Sequence, residues 1–113
     1  MASFEQGDVV RVPFPYTDRS TRQHRPALVV SAGPIGENDS HLWVAMITSA
    51  DNRPWIGDLP FGESYSEAGL PAPSVIRPCK LATIDASHAE RLGRAAPALI
   101  AVALTAVRGY LGA

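Results

Sequence analysis

The order of apolar and polar positions divides this chain into strand-like runs followed by one helix-like run. Asp8-Val-Val-Arg-Val-Pro-Phe14 alternates in part, and its internal Pro13 suits an edge strand or a bulge. Residues 26–31 and 42–48 are near-continuous apolar runs, the pattern of strands covered on both faces, and Trp43 within the second reads as core. The stretch between them holds Gly33, Pro34, Gly36, Asn38 and Asp39, a loop composition. Residues 56–61 and 74–84 predict two more strands, separated by a Gly/Ser/Glu/Pro-rich segment over 62–73. The period then changes. Pro97 fits the first turn of a helix and Gly112 the residue just past its end. Between them Ile100, Ala103, Leu104, Val107, Tyr110 and Leu111 follow the three-and-four spacing of one helical face, which reads as a packing stripe. About five strands and a terminal helix predict a mainly β fold: a bent antiparallel sheet of the SH3-like barrel type with a C-terminal α-helix.

Composition bounds what such a fold can do. The chain has 113 residues, 46% hydrophobic and 19% charged, which suits one domain over residues 1–113 with its own core. A single Cys79 excludes an internal disulfide, and three scattered histidines offer no zinc cluster, so neither metal nor cofactor is expected. The longest apolar stretch, residues 95–107, is shorter than the roughly 20 residues of a membrane span. The opening Met1-Ala-Ser-Phe-Glu5 has neither a basic nor an apolar leader segment, so a cytoplasmic location is expected. A net charge of −1 argues against wrapping nucleic acid by bulk electrostatics. The distribution qualifies that total. Arg11, Arg19, Arg22 and Arg25 lie near the start and Arg77, Lys80, Arg91, Arg94 and Arg108 in the last third, while the middle is acidic. All but Lys80 are arginines, the side chain better shaped for bidentate phosphate binding; a compositional bias toward Arg and Ala is the plain alternative.

The hairpin carries the most informative inference. If Ser31 and Leu42 pair beside the loop, Arg25 falls opposite Thr48. Directly opposed residues have Cβ atoms about 4.5–5.5 Å apart, and a two-residue slip leaves them diagonal neighbours. A guanidinium and a hydroxyl then converge where two apolar strands end. Strand ends are often polar, so spacing alone leaves a structural reading open.

Three stretches change the weight. Gly7-Asp-Val-Val-Arg-Val-Pro-Phe-Pro-Tyr-Thr-Asp18, His24-Arg-Pro-Ala-Leu-Val-Val-Ser31 and Ala45-Met-Ile-Thr-Ser49 together resemble the MazF/PemK family of toxin endoribonucleases. Pro73-Ser-Val-Ile-Arg-Pro-Cys-Lys-Leu-Ala-Thr-Ile-Asp85, Leu92-Gly-Arg94 and the terminal helix follow in that family's order. The resemblance implies an SH3-like barrel, a homodimer, metal-free cleavage of single-stranded RNA at short mRNA sequences, and a cognate antitoxin that occupies the RNA groove. It places Arg25 at the family's catalytic arginine and Thr48 at its catalytic threonine. Arg77 matches the arginine of a Val-Val-Arg-x-Asp strand that has catalytic roles in one branch, but Cys79 stands where that branch has aspartate.

The residue types suit the implied chemistry. In-line attack of a 2′-hydroxyl on its own phosphate needs stabilisation of an anionic phosphorane, which an arginine fork and a threonine hydroxyl supply. A guanidinium is a poor base near neutrality. Imidazole is a side-chain type suited to proton transfer near neutrality, yet as Arg25's neighbour in a strand His24 points to the opposite face, so a loop or phosphate contact is its other reading. Tyr16, Thr17, Arg19, Arg22 and Gln23 interleave aromatic and basic groups in the first hairpin loop, a pattern that suits stacking with phosphate contact, or simply a solvated loop. Arg53 and Trp55 form a second candidate patch, with a structural tryptophan as the alternative, and Arg77 is a third RNA contact. A gyrase-inhibiting toxin of the CcdB-like type, or a catalytically silent barrel that binds RNA or antitoxin, are the competing functions; an inhibitor would not require the Arg25/Thr48 pair.

Overall fold

Strand residues send alternate side chains to opposite faces, and here both faces are apolar. The computed structural model describes residues 3–15 and 22–113. Its strands are β1 (Asp8–Pro15), β2 (Arg22–Val29), β3 (His41–Ser49), β4 (Leu59–Pro60), β5 (Ser74–Asp85) and β6 (Glu90–Arg94), followed by helix α1 (Pro97–Leu111). All neighbours pair antiparallel in one curled sheet, a half-barrel of order β4-β5-β3-β2-β1-β6.

One face collects Val9, Leu28, Val30, Ala45, Ile47 and Ile76 beneath Ile100, Ala103 and Val107 of α1. The other collects Val10, Val12, Phe14, Ala27, Val29, Leu42, Val44, Met46 and Ile84, joined by Phe4. Among the described residues none of α1 belongs to that second cluster. Its cover comes from the N-terminal segment and from the curl of the sheet itself, which turns strands toward one another. Pro97 opens α1, and Gly112 closes it in the left-handed conformation (φ 79°), its N–H returning to the last-turn carbonyls.

The departures from expectation have identifiable causes. The segment 56–61 yields only the two-residue β4, because Asp58 N–H donates to the Trp55 carbonyl and Gly57 (φ 92°) reverses the chain, leaving Ile56 fully exposed. Strand β2 starts at Arg22 rather than Pro26, since polar residues extend it as a ribbon paired with β1, Pro15 opposite Arg22. Trp43 is not core: it is 48% exposed, on the helix-covered face but at the margin of that cover. Tyr110 and Leu111 continue the helical stripe yet are exposed.

Strand β6, Glu-Arg-Leu-Gly-Arg, lacks an apolar pattern and is held by other means. Asp8, 1% exposed, ion-pairs with Arg91 (3.3 Å) and Arg94 (3.2 Å) and accepts the Glu5 N–H at 2.9 Å. Gly93 and Gly69 permit the 62–70 segment to lie against β6: a Cβ on Gly93 would strike the Ala68 carbonyl, and one on Gly69 the Leu92 carbonyl. Before β6, Asp85 accepts the Ser87 hydroxyl and N–H, which hold its carboxyl below the usual range and cap the turn Ala86–His88. Asp8→Ala removes the anchor of β6 and orphans the Glu5 N–H. We expect a loss of about 2 kcal/mol in urea unfolding, against under about 1 kcal/mol for Arg94→Ala, whose partner keeps Arg91.

Candidate active site

The β2–β3 ladder pairs Ala27 with Met46, Leu28 with Ala45 and Val29 with Val44, the register expected from setting Ser31 against Leu42. Past Ala27 and Met46 the β2–β3 ladder ends, while β2 stays paired with β1 back to Arg22 and β3 with β5 on to Ser49. Carried two residues further, the same register sets Arg25 against Thr48 at the point where the ladder parts. Their faces agree as well. Arg25 is opposite Val12 and alternates with Ala27 and Val29, while Thr48 alternates with Met46 and Val44, all of the second cluster. Arg77, opposite Met46, belongs to the same face. The fold therefore brings Arg25, Thr48 and Arg77 to one end of one sheet face.

Each has a distinct environment. Arg25 is half-buried, and its Nη2 donates to Gln23 Oε1 at 3.1 Å. Thr48 is 4% exposed, and its Oγ1 accepts Asn52 Nδ2 at 2.6 Å. The turn after β3 delivers that amide: Asn52 N–H donates to the Ser49 carbonyl, and Asp51 N–H to Ser49 Oγ. Arg77, 7% exposed, is turned inward. Its Nε pairs with Asp58 (3.2 Å), its Nη2 donates to the Arg53 carbonyl (2.6 Å), and its guanidinium lies 4.4 Å from the centre of the Trp55 ring. Lys80 Nζ lies 5.5 Å from the same ring. So Arg77 fastens the turn bearing Arg53 and Trp55, both exposed, beside the Thr48 turn.

The remaining expected residues divide. His24 is exposed and opposite Pro13, on the other face from Arg25. Gln23 is exposed and adjoins Arg25. Tyr16, Thr17 and Arg19 lie outside the described residues, as does the side chain of Arg22. Among the described residues no three His, Cys, Asp or Glu side chains form a metal-ligating group.

Sequence reasoning missed Asn52 and Asp58. Asn52 stands four residues after Thr48 in Ser-Ala-Asp-Asn, a turn composition that carries a side chain back on the strand end. Asp58 supplies, from another loop, the carboxylate that Cys79 does not supply within β5. Asp58→Ala leaves the Arg77 charge buried without its acid; we expect a loss of about 3 kcal/mol or more in denaturant unfolding, with a changed Trp55 fluorescence.

Comparison with known proteins bears on this site. The family described as PemK-like, MazF-like toxin of type II toxin-antitoxin system matches residues 5–111. No curated protein sequence matches. Among solved structures, MazF (Form-I) from Deinococcus radiodurans superposes with a TM-score of 0.79 at 19% identity, covering 100% of both chains. A MazE-MazF structure (Form-II) from the same organism gives 0.74 at 19% identity, covering 99% of this chain and 98% of that one. An endoribonuclease in complex with its cognate antitoxin from Mycobacterial species gives 0.72 at 19% identity, covering 99% and 96%. No helix among the described residues is long and apolar enough to cross a membrane. With the family profile matched over nearly its whole length, the chain belongs to the PemK-like, MazF-like toxins of type II toxin–antitoxin systems.

Proposed function

We propose that this protein is a metal-independent endoribonuclease that cleaves single-stranded mRNA at a short sequence and is neutralised by a cognate antitoxin protein. The observation that carries the reading is the placement of Arg25 and Thr48 on one sheet face where β2 and β3 stop pairing. A phosphate seated there meets a planar cation and a hydroxyl from two rigid strands, so little rearrangement is needed as charge develops. The 2′-hydroxyl of the nucleotide attacks its own phosphorus, the P–O5′ bond breaks, and a 2′,3′-cyclic phosphate and a 5′-hydroxyl result. Arg25 stabilises the equatorial oxygens of the phosphorane, and Thr48 donates to one of them. Proton transfer is the slower part of this design, since a guanidinium is a poor base and His24 lies on the opposite face.

Trp55, stacked on Arg77 and beside the Thr48 turn, offers a ring for a flanking base, with Arg53 for its phosphate. Gln23, which adjoins Arg25, is a further RNA contact in this reading, as are Arg22 of β2 and the sequence-assigned Tyr16, Thr17 and Arg19. Arg77 serves the RNA through this loop rather than by direct contact, its donors being engaged by Asp58 and Arg53.

Self-association belongs to the same reading. Strands apolar on both faces do not by themselves demand a partner, because the second face is closed by the sheet's own curl. An open groove of about 460 Å³ is instead lined by exposed Trp43 and Leu111 and half-buried Ile35 and Leu104, and a second copy there would cover it. We expect a homodimer by sedimentation at micromolar concentration, shifted toward monomer by Trp43→Lys; a monomeric unmodified protein contradicts the proposal.

The nuclease reading is tested with single-stranded transcripts in EDTA. Cleavage is expected to persist and to leave the two end groups named above, with strict metal dependence as the contrary result. Arg25→Ala should lower the rate by about 100-fold or more with an unchanged circular dichroism spectrum, and full activity in that variant removes the central assignment.

A further inference from the structure

We propose that Asn52 is a positioning residue that fixes Thr48 as a hydrogen-bond donor toward the phosphate. This deepens the nuclease reading and rests on it.

A threonine hydroxyl has one proton to give and two lone pairs to accept with, and its rotor chooses between roles. For an anionic phosphorane only the donor role helps; a lone pair turned toward phosphate oxygens repels them. At Thr48 the choice is biased. Asn52 Nδ2, which can only donate, lies 2.6 Å from Oγ1 and occupies a lone pair. The hydroxyl proton is thereby directed away from Asn52, the side chain that donates to this oxygen. Thr48 is otherwise enclosed, at 4% exposure, so the rotor has few other partners.

The amide is itself held. Asn52 N–H donates to the Ser49 carbonyl (3.1 Å), Asp51 N–H to Ser49 Oγ (3.1 Å), and Ala50 N–H to the Pro73 carbonyl (3.0 Å). The turn that leaves β3 therefore fixes the backbone of the residue that orients the last buried hydroxyl of β3. Positioned donors of this kind act before the charge develops, which is where electrostatic catalysis gains most.

Asn52→Asp is the sharpest test because it keeps size and reverses the bond. A carboxylate only accepts, so the Thr48 proton turns toward it and a lone pair faces the phosphate. The substrate is a short single-stranded oligonucleotide carrying a cleavage site mapped with the unmodified protein, and the readouts are single-turnover rate and oligonucleotide affinity. The expected loss for Asn52→Asp is about 100-fold in rate, with affinity changed far less. Asn52→Ala, which frees the rotor without reversing it, should lose less. The ratio of Asn52→Asp to unmodified rate should rise as pH is lowered toward about 4, where the new carboxyl gains a proton to donate.

The Thr48→Ala background decides between this role and general effects of charge or folding. With no hydroxyl to orient, adding Asn52→Asp or Asn52→Ala should change the rate by less than about twofold. An equal loss in both backgrounds overturns the proposal, because charge repulsion or loop damage would persist without Thr48. Full activity of Asn52→Asp overturns it too. Should Asn52→Asp fail to fold by circular dichroism, Asn52→Ala in the two backgrounds makes the same distinction. Failure of the nuclease reading looks different: the unmodified protein leaves RNA intact, or Thr48→Ala cleaves at full rate, and the Asn52 role falls with it.

Discussion

The pairing of Ala27 with Met46 constrains more of this molecule than any other contact. Side chains alternate along a strand, so slipping β2 by one residue against β3 would exchange the faces of all its residues. Ala27 and Val29 would leave the second cluster, and Leu28 would leave the helix-covered one. Since both faces are apolar, burial alone opposes such a slip weakly; a polar-outside strand would resist it more. Shape and the strand ends supply the rest. Arg25 opposite Val12 must emerge where the curl opens, and Thr48 must reach Asn52. One register thus joins the core to the site, and errors in one would appear in the other.

Two-faced burial also explains why the polar groups gather where they do. A strand covered on both sides has no solvated face on which to place a charge, so functional side chains collect at its ends. Arg25, Thr48 and Arg77 all sit near such an end, and all on the face opposite α1. Arg77 shows the alternative use of the same position. Its donors are engaged by Asp58 and the Arg53 carbonyl, and its charge holds an exposed tryptophan in place. Two arginines on one face therefore divide the work, one presented at the strand ends and one fastening the loop beside them.

What was legible in the sequence follows the same division. The long apolar runs around Leu28, Val44 and Ile76 announced three strands, because buried segments have a strong composition signal. Pro97 and Gly112 marked the helix bounds through backbone chemistry alone. The hairpin register followed from where the apolar runs stop. Strand β6 was not legible, since Glu90-Arg-Leu-Gly-Arg94 has no period and is fixed by Asp8, far away in sequence. Nor was the exposure of Trp43, which depends on how far α1 reaches over the sheet. In the site, Arg25 and Thr48 could be paired by arithmetic, whereas Asn52 and Asp58 act from turns whose geometry no apolar pattern encodes.

The modest net charge becomes intelligible in this light. A protein that finds RNA by bulk attraction needs a basic shell, and its affinity then falls steeply with salt. Here the ten basic residues nearly balance eleven acids, and Asp8, Asp58 and Asp85 are each committed to local structure. Arg91 and Arg94 are likewise tied to Asp8, and Arg77 to Asp58. Much of the charge is thus internal fastening rather than surface field. If the chain acts on RNA as proposed, local affinity comes from a few placed groups and from stacking, which favours short recognised sequences over length of contact. The proposed pairing of one arginine with one oriented hydroxyl, at the ends of strands whose register sets core and site together, is consistent with that sparing use of charge.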